Sequence, residues 1–218
     1  AAGAQDEFAD AALDLLQAVG IATPWRRLVR VGGRSVLLLR RFDRDPQQRR
    51  LGYISALTAL GASDGDHRDY ADIATAMRDL SRSPAADQRA LFDRVVASVA
   101  LGNTDDHLRN HGFLADRGFW TLSPAFDVNP TPDQWRSRAT SIMGADELPD
   151  EVEALLPFAA ECGLKPAQAR SRISQITTRF GGWRDAARTN GLPESEITLM
   201  AEGIEPRLHA LEVVAGPA

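Results

Sequence analysis

An apolar stripe runs without interruption into a knot of polar residues near the middle of this chain. Val95, Val96, Val99, Ala100 and Leu101, preceded by Leu91, recur at helical spacing, which predicts a long helix from Asp87 with one face in the core. Directly after it comes Asn103-Thr104-Asp105-Asp106-His107-Leu108-Arg109-Asn110-His111-Gly112. Phe113-Leu114 and Phe119-Trp120-Thr121-Leu122 follow, separated by the polar Ala115-Asp116-Arg117-Gly118. That pattern predicts a β-hairpin, with Gly118 supplying the positive φ of a short turn. The hairpin returns the chain to Ser123-Pro124-Ala125-Phe126-Asp127-Val128-Asn129-Pro130. A buried helix, a polar loop, a hairpin and a second acidic segment in that order leave few folds open.

Four residues separate Asp105 from Asn110, the spacing of the aspartate and asparagine in a protein-kinase catalytic loop. Phosphoryl transfer needs a carboxylate beside the attacking hydroxyl, and carboxylate and amide oxygens that hold Mg²⁺ against the nucleotide phosphates. Asp105, Asn110 and Asp127 would supply those groups. Asp, Asn, His and Gly also crowd into ordinary loops, where their side chains bond the backbone. The flanking helix and hairpin distinguish this segment from such a loop.

Composition narrows the classes further. At 218 residues and 44% hydrophobic content, the chain has material for one full-sized domain. A net charge of -5 argues against a general nucleic-acid binder, so no direct nucleic-acid binding is expected. Its single cysteine, Cys162, excludes an internal disulfide and fits a buried thiol in a reducing compartment. Neither a signal peptide nor a run of membrane-spanning length is legible, so the expected location is cytoplasmic.

Lys165 is the only lysine. Kinases bridge the α/β-phosphates with a lysine early in the fold, and Lys165 lies well after Asp127 in a Gly-Leu-Lys-Pro turn. No glycine-rich phosphate loop precedes the motif either. Gly32-Gly33 reads as the turn between Leu28-Val29-Arg30-Val31 and Ser35-Val36-Leu37-Leu38-Leu39.

Elsewhere the chain reads mostly as helix. Residues Phe8 to Val19 carry an apolar stripe ended by Gly20, and Thr23-Pro24 breaks into the first hairpin. Arg40-Arg41-Phe42-Asp43-Arg44-Asp45-Pro46 leaves that hairpin as a charged connection. Ser55 to Leu60 and Asp69 to Leu80 are expected helices, and Ser83-Pro84 is expected to close the second. Three more are expected at Pro149 to Cys162, Pro166 to Phe180 and Ser195 to His209, punctuated by Gly163, Gly181-Gly182 and Gly191. Trp25, Trp120, Trp135 and Trp183 are expected in core and lobe packing. The expected class is α+β, predominantly α, with small β-hairpins.

Thr-Asp-Asp-His-Leu-Arg-Asn and Leu-Ser-Pro-Ala-Phe-Asp-Val-Asn-Pro resemble the HipA family of bacterial serine/threonine kinase toxins. Leu38-Leu39-Arg40-Arg41-Phe42-Asp43-Arg44 resembles that family's hinge, and Tyr53-Ile54-Ser55-Ala56-Leu57 has its flavour. The resemblance covers nearly the whole chain, 1–218, as a protein-kinase-like C-lobe of HipA type. It implies ATP and Mg²⁺ as cofactors, Asp105 as catalytic base, and Asn110 and Asp127 as metal ligands. It further implies that Arg40, Arg41 and Phe42 hold adenine, and that His107, Arg109 and Phe126 join the nucleotide site. Implied partners are a helix-turn-helix antitoxin of the HipB type and a protein substrate of the translation machinery. The family's phosphate loop and nucleotide lysine have no counterpart, so the chain is expected to be part of a longer kinase, weak or inactive alone.

Two rivals stand beside this reading. His107 and His111 are four apart, which on a helix would place both on one face, as in zinc hydrolases. The glutamate of H-E-x-x-H is absent, and Gly112 cuts a helix short, so no shared zinc is expected. Alternatively, a kinase-like lobe without its phosphate clamp would serve only as a binding module.

Overall fold

The computed structural model describes residues 5–216. Helix α1 (Gln5–Ala18) buries Phe8, Ala12, Leu15 and Leu16 and stops before Gly20, whose φ of 83° leaves the helical region. Strands β1 (Arg26–Val31) and β2 (Arg34–Leu39) form the first hairpin and pack beside α1. Val31 pairs with Arg34, so Gly32 (φ 58°) and Gly33 (φ 80°) make the two-residue turn alone. Positive φ at both positions is what such a turn demands of its residues.

The second sheet has three antiparallel strands in the order β3 (Tyr53–Ser55), β4 (Gly112–Asp116), β5 (Phe119–Leu122). Strand β3 is three residues long, too short to show alternation in the sequence, and only its partner β4 makes it a strand. It runs into α2 (Ala56–Ala59), where Ser55 caps the Thr58 N–H at 3.2 Å. Arg117 (φ 50°) and Gly118 (φ 88°) turn β4 into β5.

Helix α3 (Tyr70–Leu80) starts at Asp69, which forms a capping box with Asp72. Helix α4 (Pro84–Ala100) begins three residues before the expected Asp87. Pro84 opens this helix rather than closing the previous element, because the first helical position has no N–H bond to lose. Beyond the loop lie α5 (Asp150–Glu153), α6 (Leu155–Glu161), α7 (Pro166–Phe180), α8 (Trp183–Thr189) and α9 (Glu194–Ala215). The single helix expected over Pro149 to Cys162 is two, since Pro157 has no N–H to offer the Glu153 carbonyl. Helix α8 is hidden in the sequence by the glycines that bracket it.

Helix α4 is the central rod, packed by α3, α6, α7 and α9. Leu91, Phe92, Val95, Val96 and Val99 are wholly buried, each burial worth about 1.5–3 kcal/mol. Its C-terminal end therefore delivers the polar loop from a rigid base. The tryptophans divide: Trp183 packs against Phe8 with ring centroids 6.3 Å apart, and Trp120 is half-buried. Trp25 and Trp135 are instead 63% and 74% exposed, which corrects the expectation of core packing for both. No helix among the described residues is long and apolar enough to cross a membrane.

Candidate active site

At the end of α4 the chain turns at Gly102, where φ is 63° and an added Cβ would sit 3.2 Å from the Thr131 carbonyl. Asp105 O accepts the His107 N–H at 3.0 Å, and His107 O accepts the Asn110 N–H at 2.8 Å. A single 3₁₀ turn, Leu108–Asn110, results. Asn110 Nδ2 donates to Asp105 O at 3.3 Å and closes the loop, leaving the amide oxygen for a cation. His107 and His111 flank this turn rather than sharing a helix face. No cluster of three His, Cys, Asp or Glu suited to a metal occurs among the described residues.

Neighbours Asp105 and Asp106 face opposite ways. Asp105 is exposed, and its carboxylate meets Arg136 Nη2 at 3.4 Å. Asp106 is buried, where Tyr70 Oη donates to it at 2.6 Å and His111 Nε2 approaches to 3.1 Å. Burial alone would raise the Asp106 carboxyl, but His111, Tyr70 and Arg138 outweigh it and hold the group below the usual carboxylate range. Burial and the adjacent Asp106 push the Tyr70 hydroxyl upward, so it stays a donor.

A buried ionic chain continues from there. Arg138 Nη2 donates to Ser98 Oγ at 2.6 Å and approaches Tyr70 Oη at 3.3 Å. Its Nη1 donates to Glu151 at 3.0 Å, and Arg207 Nε donates to the other Glu151 oxygen at 3.1 Å. Both pairs are inaccessible to solvent. Tyr70, Arg138, Glu151 and Arg207 thus hold the loop from below, although they come from α3, the loop after β5, α5 and α9. Sequence reasoning missed all four. The signal of the three charged ones, next to apolar positions, looks the same as a solvated face, and Tyr70 reads as ordinary helix core.

Asn103 joins the loop to the acidic segment after β5: its Oδ1 accepts the Asn129 N–H at 3.2 Å, and Asn129 Nδ2 donates to Asp127 at 2.7 Å. Asp127 is exposed and has a φ of 57°, a left-handed conformation that aspartate tolerates better than most residues. Its neighbours Phe126 and Val128 line a cavity of about 20 Å³ with Asn110, Asp106, His111 and Arg94. Burial pushes the Arg94 guanidinium down to about 10.

The hinge-like segment makes a second cavity of about 250 Å³, lined by Leu39, Arg40, Arg41, Phe42, Tyr53 and Phe126 among others. Phe42 packs at 5.3 Å from Phe126 and 6.1 Å from Tyr53, centroid to centroid. Arg40 N donates to Trp25 O at 2.8 Å, and Asp43 O accepts from Leu51 N at 2.9 Å. Between them, the Arg41 and Phe42 backbones make no backbone–backbone hydrogen bond among the described residues. An apolar slot beside two unspent peptide groups is suited to a flat heteroaromatic ring. The Arg41 side chain is held in a two-point pair with Asp43, another lining residue, at 2.8 and 2.6 Å.

His107 and Arg109 lie elsewhere. They line a separate hollow with Ser63, Asp64, Asp66 and His67, and Arg109 is paired with Asp64. Neither lines the slot beside the hinge or the cavity below Asn110. Of the residues expected around a nucleotide, these two are thus set apart from Asn110, Phe42 and Phe126, on the hollow shared with Asp64 and His67.

A helical lobe carrying a catalytic-type loop, a hairpin, a returning aspartate and a hinge slot is the C-lobe of a kinase-like fold. The same fold recurs, at a TM-score of 0.74 and 19% identity, in the Shewanella oneidensis MR-1 toxin–antitoxin complex of HipA, HipB and operator DNA. There it covers 96% of this chain and 55% of that one. The Helicobacter pylori proinflammatory kinase CtkA matches at a TM-score of 0.61 and 15% identity, over 97% of this chain and 84% of its own. A Haemophilus influenzae protein provisionally named a kinase is 27% identical over 145 residues, 58% of this chain and 42% of the relative. The chain belongs to the family of HipA-like C-terminal domains, matched over residues 2–183. It spans about half the length, or less, of the HipA chain and the curated relative it matches.

Proposed function

We propose that this chain is the catalytic lobe of an ATP-dependent serine/threonine protein kinase of the HipA toxin type. One observation carries the reading: Phe126, which precedes Asp127, lines both the hinge slot and the cavity below Asn110. A nucleotide with its base against Phe42, Tyr53 and Phe126 would run its phosphates toward Asn110 and Asp127. One amide and one carboxylate suit Mg²⁺, which takes few protein ligands and completes its shell with phosphate oxygens and water. When bound, that ion neutralises charge on the transferring phosphoryl group. Asp105, exposed in the same loop as Asn110, orients the acceptor hydroxyl and receives its proton.

The substrate is a protein hydroxyl, with a component of the translation machinery in view, and the partner is a helix-turn-helix antitoxin of the HipB type. HipB accompanies HipA in the Shewanella complex, which supports the partner. Lys165, the only lysine, is exposed at the start of α7, so the α/β-phosphates lack their usual cation. Without it the lobe alone transfers phosphate slowly, because catalysis here is positioning and charge stabilisation.

The test compares ATP turnover and radiolabel transfer by this chain, the full gene product and its Asp105→Asn variant. The expected result is transfer by the full product, a loss of about 10²–10⁴-fold in Asp105→Asn, and little by the lobe. An inactive full product that still binds its partner would replace this reading with a binding module.

A further inference from the structure

The loop after Asp127 is tied down along its length yet presents a bare indole. Thr131 N donates to Gly102 O at 3.1 Å, Asp133 Oδ1 accepts the Trp135 N–H at 3.0 Å, and Gln134 O accepts from the buried Arg207 at 3.3 Å. Gly203 of α9 lets the Thr131–Pro132 backbone lie directly on the helix: a Cβ there would be 3.1 Å from Pro132 and closer still to Thr131 O. Trp135 nevertheless remains 74% exposed. The next residue, Arg136, rests on Asp105 at 3.4 Å, with both side chains about half exposed.

We infer that Trp135 and Arg136 grip the segment of the protein substrate that carries the acceptor hydroxyl, Trp135 taking an apolar side chain and Arg136 an acidic one. This rests on the kinase reading of Asp105. The position selects the occupant, since Arg136 lies against the carboxylate that the acceptor hydroxyl must reach. An exposed ion pair at this distance is weak and yields to a hydroxyl that binds Asp105. The freed guanidinium then pairs with a carboxylate on the same segment, a charge-assisted contact that arginine makes in fork geometry. The backbone that carries Trp135 is already tied down, so docking against it requires no ordering of the loop, and tryptophan and arginine are both enriched among the residues that dominate binding energy at interfaces.

The experiment uses the full gene product and two series of labelled serine peptides. One series carries Glu and Leu near the serine, and the other has Lys in place of Glu. Peptide binding is read by anisotropy, phosphate transfer by radiolabel, and nucleotide affinity separately as the check that each variant is folded. The expected result is at least about a tenfold preference for the Glu series. Arg136→Glu reverses that preference, Trp135→Ala weakens both series, and nucleotide affinity changes in neither variant. A preference unchanged by Arg136→Glu, or an affinity unchanged by Trp135→Ala, overturns the inference even if phosphate is transferred. A preference that reverses without any phosphate transfer leaves the docking element standing and removes the kinase reading instead.

Discussion

Removing the Glu151 carboxylate should be among the most damaging single changes outside the apolar core. Glu151 is fully buried and accepts from Arg138 at 3.0 Å and Arg207 at 3.1 Å, so Glu151→Ala strands two guanidinium groups. Breaking a buried pair from one side costs about 3–5 kcal/mol, most of it the desolvation of the charge left behind. Two cations share this acid, so the upper half of that range is expected. For a chain of this size, each kcal/mol lowers the melting temperature by about 2–4 °C, giving a fall of about 8–20 °C. Urea unfolding should show the lower midpoint with an unchanged slope, because the surface exposed on unfolding is the same. The triple change Glu151→Leu, Arg138→Met, Arg207→Met should recover much of the loss by replacing charge with packing. A cost below about 1 kcal/mol for Glu151→Ala would refute the argument, since it would mean that water reaches these cations.

Asp106 has a carboxyl pKa depressed below its ordinary 3.8, so it contributes stability that is fully present above that value and lost as pH falls toward its folded value. Acid unfolding followed by circular dichroism should begin below about pH 4, and Asp106→Asn should flatten that limb while lowering stability at neutral pH. Gly203→Ala should destabilise by more than Gly112→Ala in thermal melts. The first Cβ meets the Thr131–Pro132 backbone, whereas the second meets only the far end of the Tyr53 side chain, which can swing away. Burial pushes the Cys162 thiol up to about 12, so it should resist a disulfide reagent at pH 8 in the native protein and react on addition of urea. Rapid native labelling would show that the α6 end opens without global unfolding.

Much of this protein is legible from local chemistry along the chain. Helix α7 spans Pro166–Phe180 as its apolar period and flanking punctuation predict, and the Gly32-Gly33 turn falls where two positive φ values are needed. The order of α4, polar loop, hairpin and Asp127 is equally readable, because each part depends on neighbours within a few residues. What misleads is local as well. Pro157 splits a helix that periodicity alone continues, and the residues of β3 become a strand only through pairing with β4.

The sequence by itself determined the spacing of Asp105 and Asn110, the return of Asp127 and the scarcity of lysine, since these are facts of covalent order. Only the tertiary structure decided that Asp105 faces solvent while Asp106 faces the core. The same holds for the burial of Tyr70 and Arg138 beside Asp106, with Glu151 and Arg207 paired behind Arg138, and for the sharing of Phe126 between two cavities. Arg138 and Arg207 carry the same charge as Arg136 and belong to the same residue type. Which arginine is buried depends on a partner carboxylate that arrives from another part of the chain. Desolvation and pairing are properties of what surrounds a group in space, and no pattern along the chain encodes that neighbour.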